Sequence, residues 1–364
     1  MKFKKMLILL VLLLSITACT RRVEEEEETP VEIVTKAQEG EYQVISPFKP
    51  SPLRQIHAIS YRDNDVIELG RRILEKSKEH FSIKKYFVSE GQVIDVDRFY
   101  DLTIFKSDNN PDGLMTKYET LDIDGVTLQN PIFISDIFEF DFHEFDNPDT
   151  VAGLSIALVL KRMQFIDEKT GAMHSLSDDA LFNVGQTLGL QLTAYLRSIE
   201  GMSDVPIYIG LYAQTSDVDK LPNNYLPGEY IGDGFSKDKS MQFKQNDESW
   251  IMLSEPEAAE LLPQIESAFY QLKRQVIGFV GDESTALIGK AFVVENKLDS
   301  IRLEVNTPAR TYLELYGLGH FLAQEIETLG NYDVPIKVDI NVLGKTRMTL
   351  TKKQGEKAEL TVFE

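Results

Sequence analysis

The stretch Gly201-Met202-Ser203-Asp204-Val205-Pro206-Ile207 recurs as Gly330-Asn331-Tyr332-Asp333-Val334-Pro335-Ile336, with five of its seven residues identical. Glycine is common just after the end of a helix, where the backbone turns left-handed, and proline is tolerated in the first residues of a strand. We therefore expect each copy to join a helix to a strand. A string of this kind, repeated 129 residues later, indicates two related units in one chain.

Apolar residues recur at helical spacing before each copy. In the first unit Ser177 is a suitable N-cap, and apolar side chains follow it at steps of three and four residues. The segment Tyr312–Leu329 has the same periodicity. Apolar runs of strand length flank both helices, at Val151–Leu160, Val205–Tyr212, Ala286–Val294, Ile301–Val305 and Val334–Val338. We predict an α/β fold, with α+β as the alternative, made of two related α/β subdomains from an internal duplication, each a sheet with a long packed helix.

These units divide the chain into six predicted segments. Residues 1–18 form a lipoprotein signal peptide, and residues 19–41, with the run Glu24–Glu28, form an acidic disordered tether. The body then contains N-terminal α/β elements, a first α/β repeat, a connecting segment with a helix, and a second α/β repeat. Their bounds are 42–150, 151–235, 236–283 and 284–364.

Weaker patterns predict the remaining elements of the body. We expect a hairpin wherever two short apolar runs flank a turn, and a helix wherever a capping residue precedes a periodic segment. The predicted elements are a strand at Tyr42–Ile45, a helix from Asn64 to about Glu79, a hairpin of Tyr86–Val88 with Val93–Ile94, and helices at Asp97–Phe105, Pro131–Phe140 and Glu257–Val280.

The N-terminus carries the pattern of a secretory signal. Three lysines precede the apolar run Met6–Leu14, and small residues follow in Ile16-Thr17-Ala18-Cys19. Because Cys19 is the only cysteine and directly follows the small residues, the stretch looks like a bacterial lipobox, with cleavage between Ala18 and Cys19 and a diacylglycerol on the thiol. The alternatives are a plain secretory signal and a transmembrane anchor, for which the apolar run is about half the required length.

Composition limits the classes of partner. The 364 residues are 43% hydrophobic and 26% charged, which suits a globular core, and the net charge is −20. So acidic a surface excludes nucleic acid and anionic headgroups as partners of the body. The membrane is therefore expected to be reached through the lipid on Cys19, and the chain to lie on the extracellular face of the cell membrane.

One loop matches a calcium-binding pattern. Asp108, Asn110 and Asp112 alternate before Gly113, and Glu119 occupies the twelfth position of the EF-hand template. Pro111 stiffens the loop at its tightest part, and a solvated turn is the alternative. We therefore assign no metal or cofactor and keep the loop as a weak calcium candidate.

Catalytic motifs are sparse. The acidic cluster Asp141–Asp146, with His143 inside it, is the candidate for a carboxylate-dependent hydrolase or a metal site, although it equally describes an amphipathic segment. Gly153-Leu154-Ser155-Ile156-Ala157 lacks the second glycine of a nucleophile elbow. Tyr208 and Tyr212, with Tyr225 and Tyr230 nearby, could line a ligand groove or belong to the core.

Several of these residues together resemble the CamS lipoproteins, the sex pheromone precursors of Gram-positive bacteria. The resemblance covers nearly the whole mature chain and rests on the order and spacing of short strings. They are Tyr42 with Ser46-Pro47-Phe48-Lys49, Gly153-Leu154-Ser155-Ile156-Ala157-Leu158, Asp204-Val205-Pro206-Ile207 and Pro227-Gly228-Glu229-Tyr230.

The resemblance implies a lipid-anchored cell-surface protein whose body has no established activity. It also implies that the signal peptide is trimmed to a short apolar pheromone that ends before the lipidated cysteine, here Leu12–Ala18. That segment differs from the family's named peptide in having no aromatic residue. We expect a non-enzymatic body that binds a surface peptide, a wall fragment or a protein, with the hydrolase and a calcium-dependent module as alternatives.

Overall fold

The computed structural model describes residues 32–33, 37, 39–60, 65–215, 226–238, 240–327 and 329–363. The predicted signal peptide, with Ala18 and Cys19, and most of the predicted tether lie outside these ranges. Within them, no helix has the length and apolar character needed to cross a membrane.

The first large sheet has six strands within the described residues. They are β3 Tyr86–Glu90, β6 Ile134–Glu144, β7 Asn147–Leu160, β10 Ile207–Ala213, β11 Glu229–Ser236 and β12 Gln242–Gln245. Their order in the sheet is β12–β11–β10–β7–β6–β3. Three small pairs lie outside it: β1 Glu32–Ile33 with β2 Ile45–Ser46, β4 Thr120–Ile123 with β5 Val126–Gln129, and β8 Met163–Asp167 with β9 Ala172–Ser175.

The second large sheet also has six strands in the described part of the chain, and they follow sequence order. They are β13 Glu248–Met252, β14 Ala286–Val294, β15 Lys297–Thr307, β16 Ile336–Val342, β17 Lys345–Lys352 and β18 Glu359–Val362. The helices are α1 Arg54–Ser60, α2 Val66–Ser77, α3 Val96–Thr103, α4 Asp178–Ser198, α5 Pro256–Leu261, α6 Pro263–Val280 and α7 Tyr312–Ile326.

The centres of the two sheets have the same topology. In each, a hairpin leads through a long helix to a parallel strand and then to a second hairpin: β6–β7–α4–β10–β11 and β14–β15–α7–β16–β17. The repeated string occupies the same place in both. The Leu154 amide donates to the Pro206 carbonyl at 2.9 Å, and the Ile301 amide donates to the Pro335 carbonyl at 3.0 Å. The predicted α/β class with a long helix on each sheet is thereby confirmed, whereas descent from a duplication and the domain bounds stay predictions.

The two helix ends differ in detail. Gly201 has the left-handed φ of +83° expected after α4. In the second unit Leu329–Asn331 forms a 3-10 turn, and Asn331 takes the left-handed conformation, with φ +58°. Asparagine tolerates this conformation, and the role expected of Gly330 stays a prediction.

Helix α2 lies between the two sheets. Its Leu69 and Ile73 pack on one face of the first sheet, while α4 packs on the opposite face. Helices α6 and α7 cover the outer face of the second sheet. The opposite side of α2 meets the inner face of that sheet through ion pairs, since Arg72 contacts Glu248 at 2.7 Å and Arg302 contacts Glu68.

Three local predictions are wrong. Residues 131–140 were predicted as a helix but belong mostly to strand β6, in which Phe138, Phe140 and Phe142 lie on one face. Acidic residues on the other face obscure the two-residue period of a strand in the sequence. Strand β3 pairs with β6 and not with Val93–Ile94. The predicted helix 257–280 is interrupted at Leu262, since Pro263 begins a new helix.

Other predictions need smaller corrections. The predicted tether contains a two-residue strand, Glu32–Ile33, paired with Ile45–Ser46. Asp65, not Asn64, caps α2, and Asn64 lies outside the described residues. Ser177 caps α4 as predicted: its hydroxyl accepts from the Ala180 amide at 3.3 Å.

Candidate functional site

A cleft of about 440 Å³ opens between α1, the first turn of α2 and the outer part of the first sheet. Its walls are mainly apolar and include Phe48, Val66, Ile67, Phe138 and Phe140. Four polar side chains, those of Ser51, Arg54, His57 and Glu90, reach the same space. An apolar cleft of this size with a few convergent polar groups is the usual form of a ligand site.

Local structure explains why apolar side chains collect here. Phe138 and Phe140 are two residues apart on β6, so both lie on one face of the sheet. The Asp65 carboxylate accepts from the Glu68 amide at 3.0 Å and fixes the start of α2, which places Ile67 at the rim. Ile67 is 70% exposed and Phe48 60% exposed, so the rim presents large apolar side chains to solvent.

His57 is held by a buried carboxylate. Its Nδ1 lies 3.0 Å from Oδ1 of Asp136, which is completely buried, and its ring stacks on Phe138 with centroids 4.0 Å apart. Oδ1 of Asp136 also accepts from the Ile137 amide at 2.8 Å, and Oδ2 has no hydrogen-bond partner among the described residues. A ring fixed through Nδ1 in this way presents Nε2 in a single orientation.

Glu90 is the acidic group of the cleft. Burial raises the pKa of its carboxyl group, and His57 opposes that rise. Part of the Glu90 population therefore keeps its proton at a pH where an exposed glutamate is ionised, and it can donate a hydrogen bond. The Glu90 carboxyl group, the His57 imidazole and the Arg54 guanidinium together supply hydrogen-bond donors and acceptors within apolar walls, which suits a ligand with a polar backbone.

Ser51, His57 and Asp136 are the residue types of a hydrolytic triad, but they are not arranged as one. The Ser51 hydroxyl oxygen accepts from the Leu53 amide at 3.1 Å, and among the described residues it makes no hydrogen bond to His57. A triad needs its serine within hydrogen-bond reach of the histidine. The geometry favours binding over acyl transfer.

The predicted acidic cluster does not form a site. Asp141 is completely buried and accepts from the Gln92 amide at 2.9 Å, while Glu139 beside it accepts from the Ile94 amide at 2.8 Å. Burial raises the pKa of both carboxyl groups, and for Asp141 the neighbouring Glu139 charge raises it further. These carboxyl groups anchor the loop after β3, and no residue of 141–146 lines the His57 cleft.

His143 has a structural role in the same strand. Its Nε2 lies 3.0 Å from the Ser89 hydroxyl and its Nδ1 lies 3.1 Å from the Thr150 carbonyl oxygen. Burial lowers the pKa of the imidazole. With both ring nitrogens engaged and only 8% of the residue exposed, His143 is not available to a substrate. Asp141 and His143 therefore have structural roles, and the carboxylate hydrolase predicted from this cluster stays a prediction.

The calcium candidate adopts a tight turn. The backbones of Ser107 and Asn110 form a short bridge, and the Asn110 side-chain amide donates to the Asp101 carbonyl oxygen at 2.8 Å. Among the described residues no group of three or more acidic, histidine or cysteine side chains is placed to hold a metal. The loop containing Asp108, Asp112 and Glu119 thus gathers no such group here, and calcium binding by it stays a prediction.

The predicted tyrosine groove is largely core. Tyr212 and Tyr230 are buried against each other beneath α2, with ring centroids 5.1 Å apart, and the Tyr230 hydroxyl donates to the Leu69 carbonyl oxygen at 2.9 Å. Tyr208 lines a different, polar cleft of the molecule. Tyr225 lies outside the described residues.

Comparison with solved structures shows the same fold in two other proteins. A sex pheromone precursor from Lactobacillus salivarius superposes with a TM-score of 0.79 at 20% identity, covering 92% of this chain and 99% of that one. The C-terminal domain of the sex pheromone staph-cAM373 precursor from Staphylococcus aureus gives a TM-score of 0.64 at 17% identity, over 80% and 94% of the two chains. These similarities concern the fold alone.

Comparison of sequences gives the family. No curated protein matches this chain significantly. The sequence profile of the CamS sex pheromone cAM373 precursors matches residues 48–358, which include the His57 cleft and both large sheets except strand β18. The chain therefore belongs to the family of CamS sex pheromone cAM373 precursors.

Proposed function

We propose that the mature chain is a lipid-anchored extracellular protein whose body, without enzymatic activity, binds an apolar peptide in the His57 cleft. The observation that carries the binding proposal is the cleft itself, with Phe48 and Ile67 exposed at its rim and His57, Arg54 and Glu90 among its polar groups. A peptide matches this mixture because apolar side chains alternate with amide groups that need hydrogen-bond partners.

The binding proposal is tested with a matched pair of variants. A fluorescent peptide with the sequence of Leu12–Ala18, together with other apolar heptapeptides, is titrated into the mature chain carrying Cys19→Ser. Ile67→Glu places a charge at the rim, where burying it unpaired is costly, so affinity should fall at least tenfold. Ile59→Glu is the control, because Ile59 is 80% exposed on α1 and does not line the cleft.

Two results would contradict the binding proposal. One is equal affinity of the two variants for a peptide that the parent chain binds. The other is the absence of binding by every peptide in the series to the folded parent chain.

The anchor is proposed from the sequence around Cys19. Lipidation would hold the acidic body at the outer face of the membrane, since each methylene of a buried acyl chain contributes about 0.8 kcal/mol. Labelled palmitate should enter the wild-type protein and not the Cys19→Ser variant, which should appear in the medium. A mature N-terminus that begins elsewhere, or an unmodified Cys19, would contradict the anchor.

The released signal peptide is proposed as a second product. Trimming before Cys19 would leave the short apolar segment Leu12–Ala18. Mass spectrometry of the culture medium should detect a peptide ending at Ala18. Its absence from the medium of cells that carry the mature lipoprotein would contradict the release of this peptide.

A further inference from the structure

A second cleft, of about 310 Å³, lies where the two units meet at the end of α2. One wall comes from Lys76, Glu79 and His80, which belong to the end of α2 and the residues after it. The opposite wall comes from residues 244–248 and from Val294 and Glu295 at the β14–β15 turn of the second sheet. Both units therefore contribute to this cleft, which is separate from the His57 cleft.

The floor of this cleft is built by two buried polar side chains. Tyr208 on β10 pairs with Phe235 on β11, and Asp233 lies two residues from Phe235 on the same face. Tyr208 is 1% exposed and Asp233 6% exposed. The Tyr208 hydroxyl has no hydrogen-bond partner among the described residues, which is uncommon for so deeply buried a polar group.

The Tyr208 hydroxyl stays protonated. Burial raises its pKa, and the Asp233 and Glu248 carboxylates raise it further. A phenol group can donate one hydrogen bond and accept others. The hydroxyl can thus be directed to Asp233 while its oxygen accepts from a ligand in the cleft.

The lining of the cleft has an excess of negative charge. It contains the carboxylates of Glu79, Asp233, Asp247, Glu248 and Glu295 and the ammonium groups of Lys76 and Lys244. Lys76 is engaged by Glu248, with their charged atoms 3.0 Å apart. Lys244 is 70% exposed, and its Nζ lies 3.7 Å from Asp233, a long and weak pair.

An aromatic wall completes the cleft. The His80 ring stacks on Phe235 with centroids 3.9 Å apart and lies 5.0 Å from the Tyr208 ring. Burial lowers the pKa of His80, so the imidazole is neutral at neutral pH. A neutral aromatic surface beside carboxylates accommodates the methylene chain next to a cationic group.

We propose that this cleft binds a primary ammonium group. The ammonium would donate hydrogen bonds to the Asp233 carboxylate and to the Tyr208 oxygen, displacing Lys244 into solvent. Asp233 is already oriented, because the Asn246 side-chain amide donates to its Oδ2 at 2.8 Å. A free amine and a lysine side chain of a peptide share this chemistry.

Calorimetric titration of the Cys19→Ser chain tests the proposal. The probes are 1,5-diaminopentane, Nα-acetyl-lysine amide, and the same lysine compound acetylated on Nε. The two compounds with a free ammonium should bind and the acetylated one should not. Binding of the lysine compound alone would identify a peptide side chain as the source, and equal binding of the diamine would identify a free amine.

Variants distinguish recognition from general charge attraction. Tyr208→Phe keeps the packing of the ring and should weaken binding at least fivefold, and Asp233→Asn should weaken it at least tenfold. Lys244→Met should tighten binding, because it removes the competing ammonium. Glu257→Gln, at an exposed position of α5, is the control and should change nothing.

The proposal is overturned by any of four results. The first is no heat with either free ammonium compound. The second is equal binding of the Nε-acetylated compound. The third is an equal loss of affinity in Glu257→Gln and Asp233→Asn. The fourth is unchanged affinity in both Tyr208→Phe and Lys244→Met. The Ile67→Glu variant of the apolar cleft should bind the amines normally, so failure of one site leaves the other testable.

Discussion

Glu248 is predicted to hold the two units together. It begins β13 of the second sheet, it is 2% exposed, and its carboxylate lies 2.7 Å from Arg72 and 3.0 Å from Lys76, both on α2. Its other oxygen accepts from the Tyr230 amide at 3.1 Å. Glu248→Gln keeps the size of the side chain and an acceptor for Tyr230, and it leaves two partly buried cations without their counter-ion.

The magnitude follows from the burial of the three groups. Arg72 is 13% exposed and Lys76 18% exposed, so water screens these charges poorly. Removing one member of a buried ion pair costs about 3–5 kcal/mol. Because the single amide oxygen of glutamine is kept by the Tyr230 amide, its NH2 group faces the two cations and gives neither an acceptor, so we expect a loss of about 3 kcal/mol or more. The exposed pair of Glu75 and Lys78, 2.6 Å apart, is the comparison, and Glu75→Gln should cost about 0.5 kcal/mol or less.

Urea denaturation followed by Trp250 fluorescence measures this difference. Trp250 is the single tryptophan, it is 3% exposed, and it lies on β13 two residues from Glu248. Its emission therefore reports on the strand that the ion pairs hold. Equal losses of unfolding free energy in Glu248→Gln and Glu75→Gln would refute the idea that α2 joins the sheets through buried charge.

Two further predictions concern stability. Burial raises the pKa of Glu229 from 4.5 to about 7, so the folded state favours the protonated form and stability should fall as pH rises from about 5 to 7.5. Glu229→Gln keeps the acceptor for the Trp250 amide, so it should remove this pH dependence and be more stable than the parent chain at pH 8 by up to about 3 kcal/mol. Melting temperatures measured across pH test this, and an unchanged pH profile in the variant would contradict the prediction. Gly153→Ala places a Cβ against the Phe81 ring and should lower the free energy of unfolding in urea by about 1–3 kcal/mol. Gly278 is a helical site with open space around it, so Gly278→Ala should raise that free energy by up to about 1 kcal/mol. Equal effects of the two substitutions would contradict the packing argument.

Local periodicity carried enough information to predict the centre of each unit. The helices of the two units and the repeated Gly-x-x-Asp-Val-Pro-Ile string obey strong short-range rules of spacing, capping and termination. Strand β6 was missed because Asp136, Glu139 and Asp141 are buried on it. Buried carboxyl groups satisfied by distant backbone amides do not follow the alternation of apolar and polar residues.

The His57 cleft could not be predicted for a related reason. His57 and Asp136 are 79 positions apart, and neither belongs to a local motif. Their pairing depends on how α1 lies across β6, which is a tertiary property. An isolated histidine in a sequence has no spacing that indicates a buried partner, and the exposure of Phe48 and Ile67 likewise depends on tertiary packing.

The most direct test of the account is to locate a bound apolar peptide. A heptapeptide of the Leu12–Ala18 sequence with a photoreactive leucine is crosslinked to the Cys19→Ser chain, and the labelled residues are found by mass spectrometry. The account predicts labelling at the rim of the His57 cleft, on Phe48, Ile67 and Phe140. Labelling concentrated on the other exposed apolar surface, at Tyr312 and Leu313 of α7, would contradict it.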